Sequence, residues 1–266
     1  MNNVVLVTGG SRGIGAAIAE RLAAAGDIVY AASRSGKAPE VPGVYPLVMD
    51  VNKQEQMDAG IAAILQAQGR LDAVVVNAGN GIAGPMEEFT EADVRYQFET
   101  CFFGAIKTIN ACVPLLRKQG HGRIVAVTSF AALAPLPYQG LYSSAKAALE
   151  MAVMDYSIEL APFGIQCGCV LPGDTATGFT AARKFSIKED SPYKERFSKC
   201  MDKVSKDELG GVSPDVVAKA VERQLHRRKM RLKVVPGMDY ALLAALVKFL
   251  PQRTCNWVMG LLYNRL

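Results

Sequence analysis

A glycine-rich stretch near the start, Thr8-Gly9-Gly10-Ser11-Arg12-Gly13-Ile14-Gly15, narrows the choice of fold more than any other part of the chain. It follows the apolar run Val4-Val5-Leu6-Val7 and precedes a small-residue, helix-like pattern from Ala16 to Ala25. A short run that is apolar at every position belongs in a strand covered on both faces, as in a parallel sheet. Glycines permit a tight turn and let an anion approach the backbone. The first turn of the next helix then offers unpaired N–H groups and a positive dipole end. This strand–turn–helix order predicts a dinucleotide-binding loop, with the spacing Thr-Gly-x-x-x-Gly-x-Gly rather than the more widespread Gly-x-Gly-x-x-Gly.

Further apolar runs are predicted strands at Ile28–Ala32, Leu47–Met49, Ala73–Val76, Arg123–Val127, Ile165–Val170 and Leu232–Val235. Helical patterns separate them, ending near Leu65 and spanning Glu91 to Lys118, Tyr142 to Leu160 and Pro214 to Leu225, with Gly26 a C-cap for the first. Strands alternating with helices demand an α/β fold, a parallel sheet with helices on both faces. The 266 residues are read as one domain, 1–266. From Asp174 to Gly211 the alternation breaks into a mixed polar and aromatic segment, read as an irregular lid over a site. The tail from Tyr240 to Leu266 reads as two amphipathic helices broken at Pro251. Leu242, Leu243, Leu246, Phe249 and Leu250 line one face of the first. That face is expected to pack on the domain or a second subunit, with a peripheral membrane contact as the alternative.

Composition removes several classes of function. Net charge is +5, and the basic cluster from Arg223 to Lys233 lacks interleaved aromatics or a nucleic-acid motif, so no nucleic-acid partner is expected. Six cysteines show no C-x-x-C pair, and with only two histidines no metal site is expected. The cysteines read as buried residues of a reducing compartment. With no room for a signal peptide before the first strand and no membrane-length run, a soluble cytoplasmic protein is expected.

The candidate chemistry lies at Ser129 and at Tyr142-Ser143-Ser144-Ala145-Lys146. Tyr142 and Lys146 are one helical turn apart and share a face. A phenol with a pKa near 10 is a poor base at neutral pH, and lowering it by about two units requires roughly 2.7 kcal/mol. An ammonium about 4 Å away can supply that at the effective dielectric of a protein surface. Tyr142 would then exchange a proton with an alcohol or carbonyl oxygen that Ser129 holds by a hydrogen bond.

Taken together, Thr8 to Gly15, Asp50, Asn77-Ala78-Gly79, Ser129, Tyr142 to Lys146 and Pro172-Gly173 resemble the short-chain dehydrogenase/reductase family. The resemblance runs from the first strand to about Thr177 and is nearest to the hydroxysteroid dehydrogenase-like branch. It implies a Rossmann-type, doubly wound sheet of about seven parallel strands with a nicotinamide cofactor across their carboxyl ends. It implies Tyr142 as general acid/base, Ser129 as the positioning hydroxyl, and Lys146 as ligand of the nicotinamide ribose that also depresses the tyrosine pKa. Asp50 would contact the adenine, Asn77 would steady the central strand near the cofactor and Thr177 would face the carboxamide, with Val51, Ala78, Gly79, Pro172, Gly173 and Thr175 as further cofactor contacts. Gly9, Ser11, Arg12, Gly13, Ile14 and Gly15 would cradle the phosphates. One departure stands at Cys101, three residues ahead of Gly104, where the family often has an asparagine that helps hold a proton-relay water. A thiol hydrogen-bonds poorly, so slower turnover is expected.

An acidic residue ending the second strand would repel a 2′-phosphate. Ser33 stands there, followed by Arg34, with Arg12 in the loop, so NADP(H) is expected over NAD(H). Leu133 and Tyr138, with Phe179 of the lid, form the expected substrate pocket. No cation stands before the tyrosine to seize a carboxylate, which favours a lipophilic ketone or secondary alcohol. A hydroxysteroid-like substrate leads. The alternatives are a 3-oxosphinganine, a 3-oxoacyl thioester met by Lys184, Lys188 and Lys194, and a non-catalytic NADP(H)-binding sensor or scaffold. A homodimer or homotetramer is expected through the two long helices.

Overall fold

The computed structural model describes residues 2–263; the last three positions of the predicted tail, 264–266, lie outside them. Strand β1 (Val4–Thr8) leads through the glycine loop into helix α1 (Gly13–Ala24). There follow β2 (Ile28–Ser33), β3 (Val44–Val48), α2 (Gln54–Gln68), β4 (Ala73–Val76) and the two-residue β5 (Ile82–Ala83). Next come α3 (Glu91–Phe98), α4 (Gly104–Gln119), β6 (Gly122–Val127), α5 (Gly140–Glu159), β7 (Ile165–Val170) and the short β8 (Lys184–Phe185). The chain continues through α6 (Lys194–Leu209), α7 (Pro214–His226), β9 (Lys233–Val234), α8 (Met238–Phe249) and α9 (Gln252–Tyr263).

Seven of these strands form one parallel sheet in the order β3-β2-β1-β4-β6-β7-β9. The chain winds outward in one direction from β1 and then in the other from β4. The carboxyl ends of β1 and β4 therefore flank the crevice where such sheets take ligands. Val5, Leu6 and Val7 are fully buried, and each such side chain stabilises the fold by about 1.5–3 kcal/mol. One core face packs α2, α4 and α5 on the sheet and the other packs α1 and α7. Arg21 fastens α1 to α7 through Asp215 at 2.7 Å and Glu222 at 2.5 Å.

Four expectations change. The third strand begins at Val44, earlier than predicted, and its Pro46 is tolerated because β3 is a sheet edge. The long helix expected from Glu91 is interrupted by a π turn, Glu99–Phe103, between α3 and α4. The lid is not irregular: α6 buries Phe197, Cys200, Met201 and Val204, spaced i, i+3, i+4, i+7, against Ala83, Tyr138 and Ile187. Its base is pinned by parallel pairing of β5 with β8. Finally, the inward face of α8 is Tyr240, Ala244 and Val247, which pack with Phe130, Ala134 and Cys255. Of the predicted packing face, Leu243 lines a cleft across the carboxyl ends of the strands, whereas Leu242 and Phe249 turn away from the domain, 74% and 82% exposed, so the domain does not cover them.

Candidate active site

The nucleotide end of the crevice is built by close backbone approach. Gly9 and Gly13 have φ of 65° and 56°, a region that favours glycine. A Cβ on Gly15 would collide with the Gly9 carbonyl oxygen and Asn77 Nδ2, so α1 seats against β4 only without one. Asn77 ties the two central strands by donating from Nδ2 to Thr8 O at 3.0 Å and Gly9 O at 3.3 Å. Thr8 Oγ1 accepts from Asn77 N at 2.9 Å and Ala78 N at 3.1 Å.

A single cleft of about 1150 Å³ runs across the carboxyl ends of the strands. It is lined by Gly9, Ser11 to Gly15, Ser33, Arg34, Asp50, Val51, Asn77 to Gly79, Ser129, Tyr142, Lys146, Pro172, Gly173, Thr175, Thr177 and Phe179. The catalytic candidates and the nucleotide candidates therefore share one chamber. Leu133 and Tyr138 do not line it. The turn Phe130–Ala132 directs Leu133 into the space between the sheet core and the C-terminal helices. Tyr138, at φ 61°, packs under α6 with its ring 5.5 Å from Phe197 and 6.4 Å from Tyr193. The lining also includes Lys37, Gln139, Glu208, Tyr240 and Leu243, which sequence reasoning missed. Of these only Lys37 had a local signal, a cation four residues beyond Ser33.

The candidate reacting groups sit on two elements. Ser129 follows β6 and caps the next turn, its Oγ accepting from Ala131 N at 3.1 Å, which leaves the hydroxyl proton to donate toward Tyr142. Tyr142 lies in the first turns of α5, with the Phe179 ring 5.6 Å away. Lys146 is buried, donates to Val127 O at 2.9 Å, and has Nζ 5.8 Å from the Tyr142 ring centroid.

Electrostatics differ from the expected depression of the tyrosine. Burial raises the Tyr142 pKa above the usual tyrosine value, and the neighbouring Cys101 thiol adds to the rise; the hydrogen bond from Ser129 opposes it. Burial also lowers the Lys146 pKa. The Lys146 ammonium gives its hydrogen bond to the Val127 carbonyl, and desolvation is the largest influence on the phenol.

Cys101 occupies the π turn, its Sγ 3.1 Å from Gln97 Nε2 and 3.3 Å from both Asn80 O and Asn80 Oδ1. The thiol thus completes a buried polar link between α3 and the segment after β4. It is fully buried and close to the Lys146 end of the site.

The donor set suits a dinucleotide phosphate. The loop gives backbone N–H groups at a helix N-terminus, and Arg12, Arg34 and Lys37 stand at the adenosine end of the crevice. The pattern of the short chain dehydrogenase family matches residues 3–186. A 3-ketodihydrosphingosine reductase from Bacteroides thetaiotaomicron is 33% identical over 264 residues, covering 98% of this chain and 97% of that protein. Human 17-beta-hydroxysteroid dehydrogenase type 1 is 31% identical over 191 residues, 66% of this chain and 58% of its own. Among solved structures, a short-chain dehydrogenase from Streptomyces avermitilis aligns with a TM-score of 0.82 at 32% identity, over 92% of this chain and 91% of that one. An alcohol dehydrogenase from the archaeon Thermococcus sibiricus, complexed with 5-hydroxy-NADP, aligns with a TM-score of 0.70 at 26% identity, over 88% and 96%.

Proposed function

The chain belongs to the short-chain dehydrogenase/reductase family, and on that footing we propose that it is an NADP(H)-dependent reductase of a long-chain ketone of the 3-ketosphinganine type. The observation that carries the reaction class is the convergence of Ser129, Tyr142 and Lys146 on the cleft that also holds the glycine loop. The cofactor, when bound, supplies the hydride. Ser129 donates a hydrogen bond to the substrate oxygen, and Tyr142 gives that oxygen its proton. The raised pKa of Tyr142 keeps the phenol protonated at neutral pH, the state in which it can act as the acid of a reduction. Lys146 orients the cofactor ribose and restores the phenol proton.

Gly9, Ser11, Gly13, Ile14 and Gly15 would hold the pyrophosphate, and Arg12, Arg34 and Lys37 a 2′-phosphate. Asp50 and Val51 would meet the adenine, and Asn77 to Gly79, Pro172, Gly173, Thr175 and Thr177 the nicotinamide half. Two features support a lipid ketone as substrate. The full-length likeness to the Bacteroides protein extends through the tail, whereas the human hydroxysteroid dehydrogenase matches only part of the chain. The apolar lining of the cleft includes Phe179, Leu243, Met259 and Leu262, with the Phe179 ring 5.6 Å from that of Tyr142. A hydroxysteroid-type substrate is the second reading, supported by the same apolar lining. The carrier-thioester reading loses support because Lys184 is ion-paired with Asp93 at 2.8 Å and Lys194 donates to Glu189 O at 3.1 Å. The complete set of acid, positioning hydroxyl and lysine disfavours a scaffold without turnover.

Exposed Phe103, Met151, Ile158 and Phe163 on and around α4 and α5 support pairing of copies there, as a homodimer or homotetramer. The outward residues of α8, with Trp257 and Leu261 of α9, support peripheral contact with a lipid surface. No described helix is long and apolar enough to cross a membrane. Six unpaired, buried cysteines support a cytoplasmic setting.

The test compares 3-ketodihydrosphingosine, a steroid ketone and a 3-oxoacyl thioester with NADPH, read by loss of reduced-nicotinamide absorbance. The keto-lipid should be reduced fastest, and Tyr142→Phe should abolish turnover while still binding NADPH. A Tyr142→Phe enzyme at full speed refutes the mechanism, and a faster steroid or thioester refutes the substrate class.

A further inference from the structure

The substrate end of the cleft carries a polar cluster that neither hydride transfer nor cofactor binding uses. Arg183, its side chain 1% exposed, is ion-paired through Nη2 with Glu208 near the end of α6. Thr180 Oγ1 donates to the other Glu208 oxygen at 2.5 Å. A carboxylate offers about four acceptor positions, so these two bonds leave Glu208 capacity on the side that lines the cleft. Asp174, which also lines the cleft, accepts from the Tyr240 hydroxyl of α8. Asp207 accepts from Lys203 at 2.8 Å.

Asp174, Asp207 and Glu208 face Arg183 and Lys203, and the C-terminal end of α6 adds its partial negative charge. Burial raises the Asp174 pKa, the hydrogen bond from Tyr240 opposes the rise, and the charges of Glu208 and Asp207 add to it. Both partners of the ion pair reach the Tyr142 hydroxyl, Glu208 raising its pKa and Arg183 lowering it, so the cluster stands within electrostatic range of that group.

An independent observation comes from the other wall. Gln139, three residues before Tyr142, lines the cleft, is 2% exposed, and has no hydrogen-bond partner for Nε2. A buried amide donor left unmade is costly, and an oxygen acceptor on a bound molecule removes that cost.

We infer that Glu208, backed by Asp174, forms a subsite for a protonated amine beside the reacting carbonyl, and that Gln139 donates to an adjacent hydroxyl oxygen. The substrate class is then a 2-amino-1-hydroxy-3-ketone with an apolar chain. This rests on the keto-lipid reading above and assigns the residues that recognise its polar end. Arg183 and Thr180 are positioning residues that hold the Glu208 carboxylate.

The experiment compares 3-ketodihydrosphingosine with its N-acetyl derivative, which has the same chain and ketone but no charge on nitrogen. In the wild type the free amine should be favoured at least tenfold in kcat/KM, about the worth of one charge-assisted hydrogen bond. Glu208→Gln should raise KM for the amine about tenfold relative to KM for the N-acetyl compound, and so erase the preference. Because that variant also loosens Arg183, a second arm avoids it. Gln139→Ala should lower kcat/KM for the hydroxylated substrate severalfold without lowering it for the 1-deoxy analogue. Equal wild-type kcat/KM for the amine and its N-acetyl derivative overturns the amine subsite, and an equal loss on both substrates in Gln139→Ala overturns the hydroxyl contact. If the wild type reduces neither keto-lipid yet reduces a steroid ketone, the substrate reading itself has failed, and the subsite with it.

Discussion

Replacing Arg34 by alanine probes how the nucleotide end of the cleft chooses between cofactors. Arg34 and Lys37 follow the end of β2, Arg12 stands in the glycine loop, and all three line the same chamber as Ser33. Ser33 Oγ donates to Lys37 O at 2.9 Å, fixing the turn that carries both cations. Among the described residues no carboxylate pairs with any of the three, so their charge is available to an anion. A charge-assisted hydrogen bond is worth about 1.5–3 kcal/mol, or roughly ten- to hundredfold in affinity. Arg34 is exposed, and solvent screening puts its share at the lower end, about tenfold. Steady-state rates should therefore show kcat/KM for NADPH falling about tenfold in Arg34→Ala, with kcat/KM for NADH within about twofold of wild type. Added salt should narrow the wild-type preference for the same reason. A wild type that prefers NADH, or a variant that loses equally with both cofactors, refutes the argument.

Two further outcomes concern the reacting groups. Because the folded-state pKa of Tyr142 is raised, the protonated acid that reduction needs persists into the alkaline range. The pH profile of kcat/KM for ketone reduction should stay flat through neutrality, with a descending limb set jointly by Tyr142 and by Lys146, whose own pKa burial lowers, while alcohol oxidation, which needs the phenolate, should climb with pH. Ser129→Ala removes the hydrogen bond that favours phenolate and should move the descending limb to still higher pH; a reduction limb falling near neutrality contradicts this. Cys101→Asn puts a stronger hydrogen-bonding group beside Asn80 and Gln97 and should raise turnover about two- to tenfold, the worth of one net hydrogen bond. An unchanged or slower variant with an unaltered melting temperature would show that the thiol costs the enzyme nothing.

The parallel sheet was legible because its strands are short apolar runs punctuated by Gly and Asn. Val4–Thr8 and Ala73–Val76 are buried at every position, and period and neighbours agree. Ser129, Tyr142 and Lys146 were legible for a related reason, since each stands at a strand exit or a helix start. Helix α6 was missed because Phe197, Cys200, Met201 and Val204 are diluted by lysines and acids that occupy its wet side. The π turn at Glu99–Phe103 has no local signature; it depends on how Cys101 meets Asn80 across the fold. The outward face of α8 is as apolar as a core face, so hydropathy alone could not say which side turned inward. Arg183 and Glu208 are 25 residues apart, and nothing in either segment announces the other. The tyrosine's acidity was misjudged because the helical spacing shows which charges are near but not how much water has been removed.

Tyr240, Leu243, Met259, Leu262 and Tyr263 close the far side of the chamber, while the floor under the nucleotide is complete by Thr177. Recombination between homologues that exchanges only the last stretch of gene would thus redraw what the enzyme accepts without retuning its coenzyme.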